Sequence, residues 1–158
     1  METFHKLLRE ASQRFINADH MVYVTYPIIN DPRLIIAITG HLYYTLTNAI
    51  EALIAYEYYH KKLDFMPRTI KEKLEVFRES LLKYYGFSSN FMNMFNDLNK
   101  IMKFREKSPI EFVRKSNFVI CDNNYSTKMI NFQKIKQYTQ ETKSFIQKIQ
   151  TIVEQNGF

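Results

Sequence analysis

The stretch that decides the fold is "LIIAITGHLYYTLTNAIEALIAY", residues 34–56. Its apolar side chains recur every three or four residues and cover more than one side of a helix, so we expect this helix to be central. It is predicted to begin at Pro32, because proline suits the first helical position. Asp31 is expected to cap it, since its side chain can accept hydrogen bonds from the first free amides. We expect it to end near Leu63.

A membrane span is disfavoured for the same stretch. The stretch is long enough to cross a bilayer, but it contains His41, Asn48 and Glu51. A carboxylate at mid-membrane costs about 2.5 to 3.5 kcal/mol on insertion scales. We therefore expect the buried helix of a soluble protein with no membrane partner.

Amphipathic helices are predicted on both sides of this segment. The first is expected to begin near Thr3 and to end near Tyr26, because Pro27 disfavours helical geometry in the residue before it. The third helix is predicted to be capped by Thr69, which has the spacing of a capping box with Glu72. Its inward stripe is predicted to be Ile70, Leu74, Phe77, Leu81 and Tyr84. The stripe of the fourth is predicted to be Phe91, Phe95, Leu98, Met102 and Arg105. Because the connections are short, residues 1–107 are predicted to form an antiparallel four-helix-bundle core.

Residues 108–130 break the helical pattern. "SPIE" places a cap, a proline and a glutamate as at a helix start, which predicts a short helix through Lys115. "FVIC" and "YSTKMI" flank an Asp/Asn turn and predict a small β-hairpin. Asn131 is expected to cap the last helix, residues 131–158. The sequence thus predicts one mostly α domain over residues 1–158, with a hairpin insert and an additional C-terminal helix.

The composition agrees with a mostly helical protein. The 158 residues include three glycines and four prolines, few for the turns of a sandwich or barrel. The single cysteine, Cys121, cannot form an intramolecular disulfide, so we expect a reducing, cytoplasmic setting. The N-terminal "METFHKLLREAS" is polar and amphipathic, which predicts that no secretory signal is present.

The positive charge is concentrated in the C-terminal part of the chain. The first 99 residues contain equal numbers of acidic and basic side chains, so residues 100–158 carry the whole net charge of +6. A basic region of this kind attracts phosphates without reading sequence. The predicted binding patch consists of Lys103, Arg105, Lys107, Arg114 and Lys115. The alternative is that these side chains only keep the surface soluble.

Two Glu-x-x-His pairs raise the question of a metal site. Glu57 and His60 lie near the end of the long helix, and Glu2 and His5 lie near the start of the first. A di-metal carboxylate bundle needs two such pairs plus a glutamate from each of two other helices. The glutamates available there lie off the apolar stripes, so we predict no metal site and no cofactor.

Arg105 occupies an apolar stripe position, where a charge is costly unless it is paired. One hypothesis is an ion pair with Glu57, expected at the same end of the bundle. The alternative is that the stem of Arg105 covers apolar surface while its guanidinium reaches water.

Catalytic motifs are absent from the sequence. All four histidines precede Cys121, and the chain has no Gly-x-Ser-x-Gly elbow, Walker loop or His-Glu-x-x-His motif. We therefore assign no catalytic residue and expect a protein that is not an enzyme.

The chain resembles the HEPN group of small α-helical domains. The likeness rests on the "REASQRFINADHMVYVTYP" helix, the tyrosine-rich "HLYYTLTNAIEALIAYEYYHKK" helix and the helical C-terminal part. The resemblance implies a four-helix bundle that forms dimers and binds nucleic acid, a nucleotide or a protein. Catalytic members carry an Arg followed four to six residues later by His, whereas here no histidine follows His60.

Three functions follow as expectations. The first is a binding module that holds RNA or another polyanion on the basic C-terminal half. The second is a homodimeric interaction module that uses apolar stripes and the hairpin edge, with no nucleic-acid role. The third is a HEPN-type ribonuclease.

Overall fold

The computed structural model describes residues 2–108 and 110–155, except for the side chain of Glu2. The protein is mostly helical and has a small antiparallel sheet of three strands. The helices are α1 (Glu2–His20), α2 (Tyr26–Ile29), α3 (Arg33–Tyr59), α4 (Ile70–Val76), α5 (Leu82–Tyr84), α6 (Asn90–Glu106) and α7 (Phe132–Gln155). The strands are β1 (Ile110–Arg114), β2 (Asn117–Cys121) and β3 (Thr127–Ile130). Two π-helical turns, Met21–Thr25 and Phe77–Leu81, join α1 to α2 and α4 to α5.

The core surrounds α3, as its apolar sequence predicts. Helix α3 contacts α1, α4, α6, α7 and β2. One cluster of buried apolar side chains includes residues of α1, α3, α6, β2, β3 and α7. Within the residues described, no helix combines the length and the apolar character needed to cross a membrane.

Contacts between the long helices give their relative directions. Phe4, at the start of α1, packs edge to face on Tyr56, near the end of α3, with ring centroids 5.5 Å apart. Phe95 of α6 packs on Tyr43 of α3 at 5.7 Å, and a Cβ at Gly40 would lie 3.9 Å from Met102. Both α1 and α6 therefore run antiparallel to α3.

The caps predicted for α3, α4 and α7 are confirmed. Asp31 Oδ1 accepts a hydrogen bond from the Arg33 amide at 3.0 Å. Thr69 Oγ1 accepts one from the Glu72 amide at 3.1 Å. Asn131 Oδ1 accepts one from the Lys134 amide at 2.8 Å, and α7 follows as far as Gln155, with residues 156–158 of the predicted helix outside the described part.

Helix boundaries differ from the sequence prediction at two places. The first helical segment does not stop at Tyr26 but continues to Ile29 through a π-turn, in which the Tyr26 amide donates to the Met21 carbonyl. Because Pro27 has no N–H to offer, a wider turn beside it avoids part of the disruption that proline causes in a regular helix. Helix α3 ends at Tyr59 rather than near Leu63, and Lys61 takes a left-handed φ of 58°.

The third predicted helix is observed as α4, the π-turn Phe77–Leu81 and α5. The π-turn changes which side chains at the end of this segment face inward. A π-turn contains one extra residue, so the side chains that follow it are displaced around the helix axis. Phe77 and Leu81 are buried as predicted, but Tyr84 is 70% exposed. Tyr85, beyond the end of α5, is partly buried and packs against the core instead. The prediction that Tyr84 faces inward is therefore wrong.

The sheet is larger than the predicted hairpin. Strands β2 and β3 pair around a turn in which Asp122 Oδ1 accepts bonds from the amides of Asn124 and Ser126, so the predicted hairpin is confirmed. The predicted short helix through Lys115 is wrong, because residues 110–114 form β1 and pair antiparallel with β2. Pro109, which belongs to the predicted helix start, lies outside the described residues.

Candidate functional site

Arg105 lies in the last turn of α6 and its guanidinium reaches β1. Its Nε donates a hydrogen bond to Glu111 Oε1 at 2.7 Å, and the arginine side chain is 43% exposed. The predicted ion pair between Arg105 and Glu57 is wrong. Because α6 runs antiparallel to α3, Arg105 lies beside the start of α3, whereas Glu57 lies at its other end.

Glu57 has a different partner. It is 2% exposed, and its carboxylate accepts a hydrogen bond from the Tyr85 hydroxyl. Burial raises the pKa of Tyr85 far above its ordinary value, and the nearby Glu57 carboxylate raises it further. The rotation produced by the π-turn therefore selects the partner of the buried carboxylate.

The ring of His60 lies among aromatic side chains. It packs on Tyr56 with centroids 4.4 Å apart, and among the described residues its buried Nε2 has no hydrogen-bond partner. The ring of His5 packs on Phe4 at 4.5 Å. The side chain of Glu2 lies outside the described residues. Among the side chains that the structure describes, no three of His, Cys, Asp or Glu are grouped so that they could hold a metal ion.

The five cations of the predicted patch do not form one cluster. Lys103 lies in the last turn of α6, and Lys107 is the residue that directly follows this helix. Arg114 ends β1, and Lys115 lies in the turn that follows. Because a strand advances about 3.3 Å per residue, the two ends of β1 are separated by about 13 Å. Arg105 is bound by a carboxylate, so four free cations remain from the predicted set.

These four cations are accessible. Lys103, Lys107, Arg114 and Lys115 are exposed. Among the residues described, none of the four forms an ion pair. They are therefore available to bind anions.

The turn between β1 and β2 places Arg114 and Lys115 at the surface of the protein. Both of its residues have positive φ, 49° for Lys115 and 66° for Ser116. Positive φ at both positions is the geometry of a tight hairpin turn, which usually contains asparagine or glycine. The turn links Arg114 to its strand partner Asn117.

One face of the sheet, here called the outer face, points away from the helices. On the opposite face, Phe118, Ile120 and Ile130 join the core cluster. By the strand register, the outer face carries Ile110, Phe112, Arg114, Asn117, Val119, Cys121, Thr127 and Met129. None of these strand residues is acidic, so the outer face combines apolar surface with positive charge.

An exposed aromatic ring lies beside the arginine on this face. Phe112, Val119 and Met129 form one row across the three strands. Phe112 is 41% exposed and Met129 is 55% exposed, whereas Val119 between them is buried. Arg114 follows Phe112 two residues later on the same face, about 6.6 Å along the strand. The outer face thus offers a ring for stacking and a cation for a phosphate.

No family model, curated protein or solved structure matches this chain. The resemblance to HEPN domains therefore stays an expectation from the sequence pattern.

The cations were predicted from the sequence, whereas the exposed Phe112 and Met129 were not. In "IEFVR", residues 110–114, three of the five residues are β-branched or aromatic, a composition that favours a strand. The cap signals of "SPIE" favour a helix over the same residues, so the exposed ring of Phe112 was not predicted.

Proposed function

We propose that this protein is a binding module, not an enzyme, that holds single-stranded RNA on the outer face of its sheet. The observation that carries the proposal is the exposed Phe112 beside Arg114 on a face whose strand residues include no acid. Proteins that bind single strands combine aromatic stacking platforms with cations that follow the backbone. The proposal assigns stacking to Phe112 and phosphate binding to Arg114 and Lys115.

The other free cations extend the same path. Lys107 lies just before β1 and Lys115 just after it, so phosphates can be held at both ends of the strand. Lys103 lies one helical turn before Lys107. Arg105 is assigned a structural role, because Glu111 already neutralises it.

We further propose that α1, α3, α6 and α7 form an antiparallel four-helix core that carries this sheet. We also propose that the protein works in the cytoplasm.

The proposal is tested by titrating a labelled oligouridylate of about 12 nucleotides, a length within the range of single-strand sites, at several salt concentrations. Binding to single strands weakens with salt by about 0.7 logarithmic units per released phosphate contact. Arg114→Gln with Lys115→Gln is therefore expected to reduce the salt slope by about 1.4. Lys71→Gln, at an exposed lysine of α4, is the matched control and should leave the slope unchanged.

Phe112→Ala separates stacking from charge. Base stacking contributes about 1 to 3 kcal/mol per base, so affinity is expected to fall by that amount. The salt slope should stay as in the wild type, because no cation is lost. Absence of RNA binding at low salt contradicts the proposal, as does an equal loss in the Lys71→Gln control.

A homodimer is the second candidate function, favoured by the free edge of the sheet. The strand order is β1-β2-β3, so one side of β1 is unpaired, and all five of its residues are exposed. Antiparallel pairing of two β1 strands about Phe112 would join two sheets through backbone hydrogen bonds and bring exposed apolar side chains of the two strands side by side. Sedimentation at high salt separates the candidates, since a dimer held by strand pairing persists where RNA binding is lost. The third expectation, a HEPN-type ribonuclease, has no specific observation in its favour.

A further inference from the structure

A second candidate site lies between α7 and the start of α6. It is a pocket of about 210 Å³ whose apolar wall is formed by Phe87, Phe91, Met94 and Phe145. Phe91 and Phe145 stack in parallel with ring centroids 4.0 Å apart, and Phe87 packs on Phe145 at 5.1 Å. The pocket is therefore bounded by flat aromatic surfaces.

Two charged side chains of α7 line the same pocket, and they differ in their contacts. Lys148 Nζ donates a hydrogen bond to the Gly86 carbonyl at 2.8 Å and lies 5.2 Å from the centre of the Phe87 ring. Glu141 is partly buried. Within the described residues it forms no ion pair. Lys148 thus keeps its charge but has a hydrogen-bond acceptor in the protein, whereas the Glu141 carboxylate has no counter-ion among the described residues.

Burial of the Glu141 carboxylate affects its pKa. Loss of hydration raises the pKa of Glu141 above its usual value of 4.5. A desolvated carboxylate that lacks a counter-ion gains most from a ligand that supplies a positive charge.

The pocket volume limits the size of the ligand. An engineered apolar cavity of about 150 Å³ accommodates benzene. A pocket of 210 Å³ therefore has room for one six-membered ring with a short side chain. Aromatic walls also favour a cation nearby, because the ring faces carry negative electrostatic potential.

We propose that this pocket binds a small organic amine, with an aromatic or aliphatic ring against Phe91 and Phe145 and the ammonium group on Glu141. The inference is independent of RNA binding, because the pocket shares no residue with the outer face of the sheet.

The test compares three probes of similar size: phenethylamine, the neutral 2-phenylethanol and the anionic phenylacetate. Saturation-transfer NMR and calorimetry are expected to show that phenethylamine binds at least about tenfold more tightly than either of the others, since charge-assisted contacts are the strong ones. Glu141→Gln should abolish this preference. Glu154→Gln, at an exposed glutamate on the same helix, is the matched control and should retain it.

Two further measurements keep the proposal falsifiable. Ser144→Trp places a large side chain at an exposed position on the pocket wall and is expected to block the binding of phenethylamine. The affinity for phenethylamine should also rise with pH as Glu141 ionises, and this rise should be absent in Glu141→Gln. Tighter binding of phenylacetate would assign the pocket to Lys148 instead, and equal binding of all three probes, or of none, would overturn the proposal.

Discussion

Two tyrosine–carboxylate contacts lie in different parts of the molecule and differ in charge balance. At the end of α3, Glu57 receives one hydrogen bond, from Tyr85. Between α6, β3 and α7, Asp97 receives two: the Tyr138 hydroxyl donates to Oδ2 at 2.6 Å, and Lys128 Nζ donates to Oδ1 at 3.1 Å. Among the described residues, the Glu57 carboxylate is buried without a cation as partner, whereas the Asp97 carboxylate is half-buried and paired with Lys128.

The hydrogen-bond partners of the two carboxylates affect the pKa values at both sites. Burial alone would raise the pKa of Asp97, but the hydrogen bonds from Tyr138 and Lys128 outweigh it and hold the pKa below its ordinary value. The pKa of each tyrosine is raised, first by burial and then by the carboxylate that accepts its hydrogen bond. A buried carboxylate with a single neutral donor depends on that donor more than a carboxylate that also has a lysine.

The largest expected effect is that of Tyr85→Phe. This change leaves the Glu57 carboxylate buried without its hydrogen-bond donor, and we expect the free energy of unfolding to fall by about 3 kcal/mol. Urea unfolding at pH 7, followed by far-UV circular dichroism, measures the change. The matched control is Tyr84→Phe, which removes an exposed hydroxyl from the neighbouring residue and should have almost no effect.

The same pair of variants can contradict the inferred difference between the Glu57 and Asp97 carboxylates. Equal unfolding free energies for Tyr85→Phe and Tyr84→Phe would mean that the hydroxyl of Tyr85 does not support Glu57. Adding Glu57→Gln to Tyr85→Phe should recover part of the loss, because an unpaired amide costs less to bury than an unpaired carboxylate.

A smaller effect is expected for Tyr138→Phe. Asp97 loses one donor but keeps Lys128, and its side chain is partly exposed to water. The free energy of unfolding should therefore fall by about 1 kcal/mol, the usual value for one hydrogen bond. Tyr125→Phe, at an exposed loop tyrosine, serves as the control. A loss as large as that of Tyr85→Phe would show that Lys128 does not compensate.

The sequence predicted those features that depend on neighbouring residues. Asp31, Thr69 and Asn131 cap their helices as expected, because each cap needs only the next two or three amides. The buried position of α3 followed from its apolar periodicity alone. Glu57 was singled out as an ion-pair partner for Arg105, but its actual partner, Tyr85, was not predicted. The π-turn that brings Tyr85 to Glu57 has no recognised sequence signal.

Features that depend on distant pairing were predicted less well. The direction of α6 relative to α3 decides that Arg105 meets Glu111, and the helix spacing does not contain that information. Strand β1 forms because β2 offers it a partner, although the cap signals of "SPIE" favour a helix locally. The exposed cations were therefore predicted, whereas the sheet face that places Arg114 beside Phe112 was not.

The smallest expected effect is that of Lys128→Gln, and its pH dependence is diagnostic. The lowered pKa of Asp97 means that its ionised form stabilises the folded protein above about pH 3.8, its ordinary pKa, and that this contribution is lost as the pH falls through the lowered pKa. Without Lys128 the contribution shrinks, so the variant should be less stable than the wild type by about 0.5 kcal/mol at pH 7. Below the pKa of Asp97 the difference should vanish, because the neutral carboxyl no longer attracts the lysine. Urea unfolding across this pH range measures the difference, with Lys71→Gln as the control. A difference that stays constant with pH would show that Lys128 stabilises the fold by packing and not by its charge.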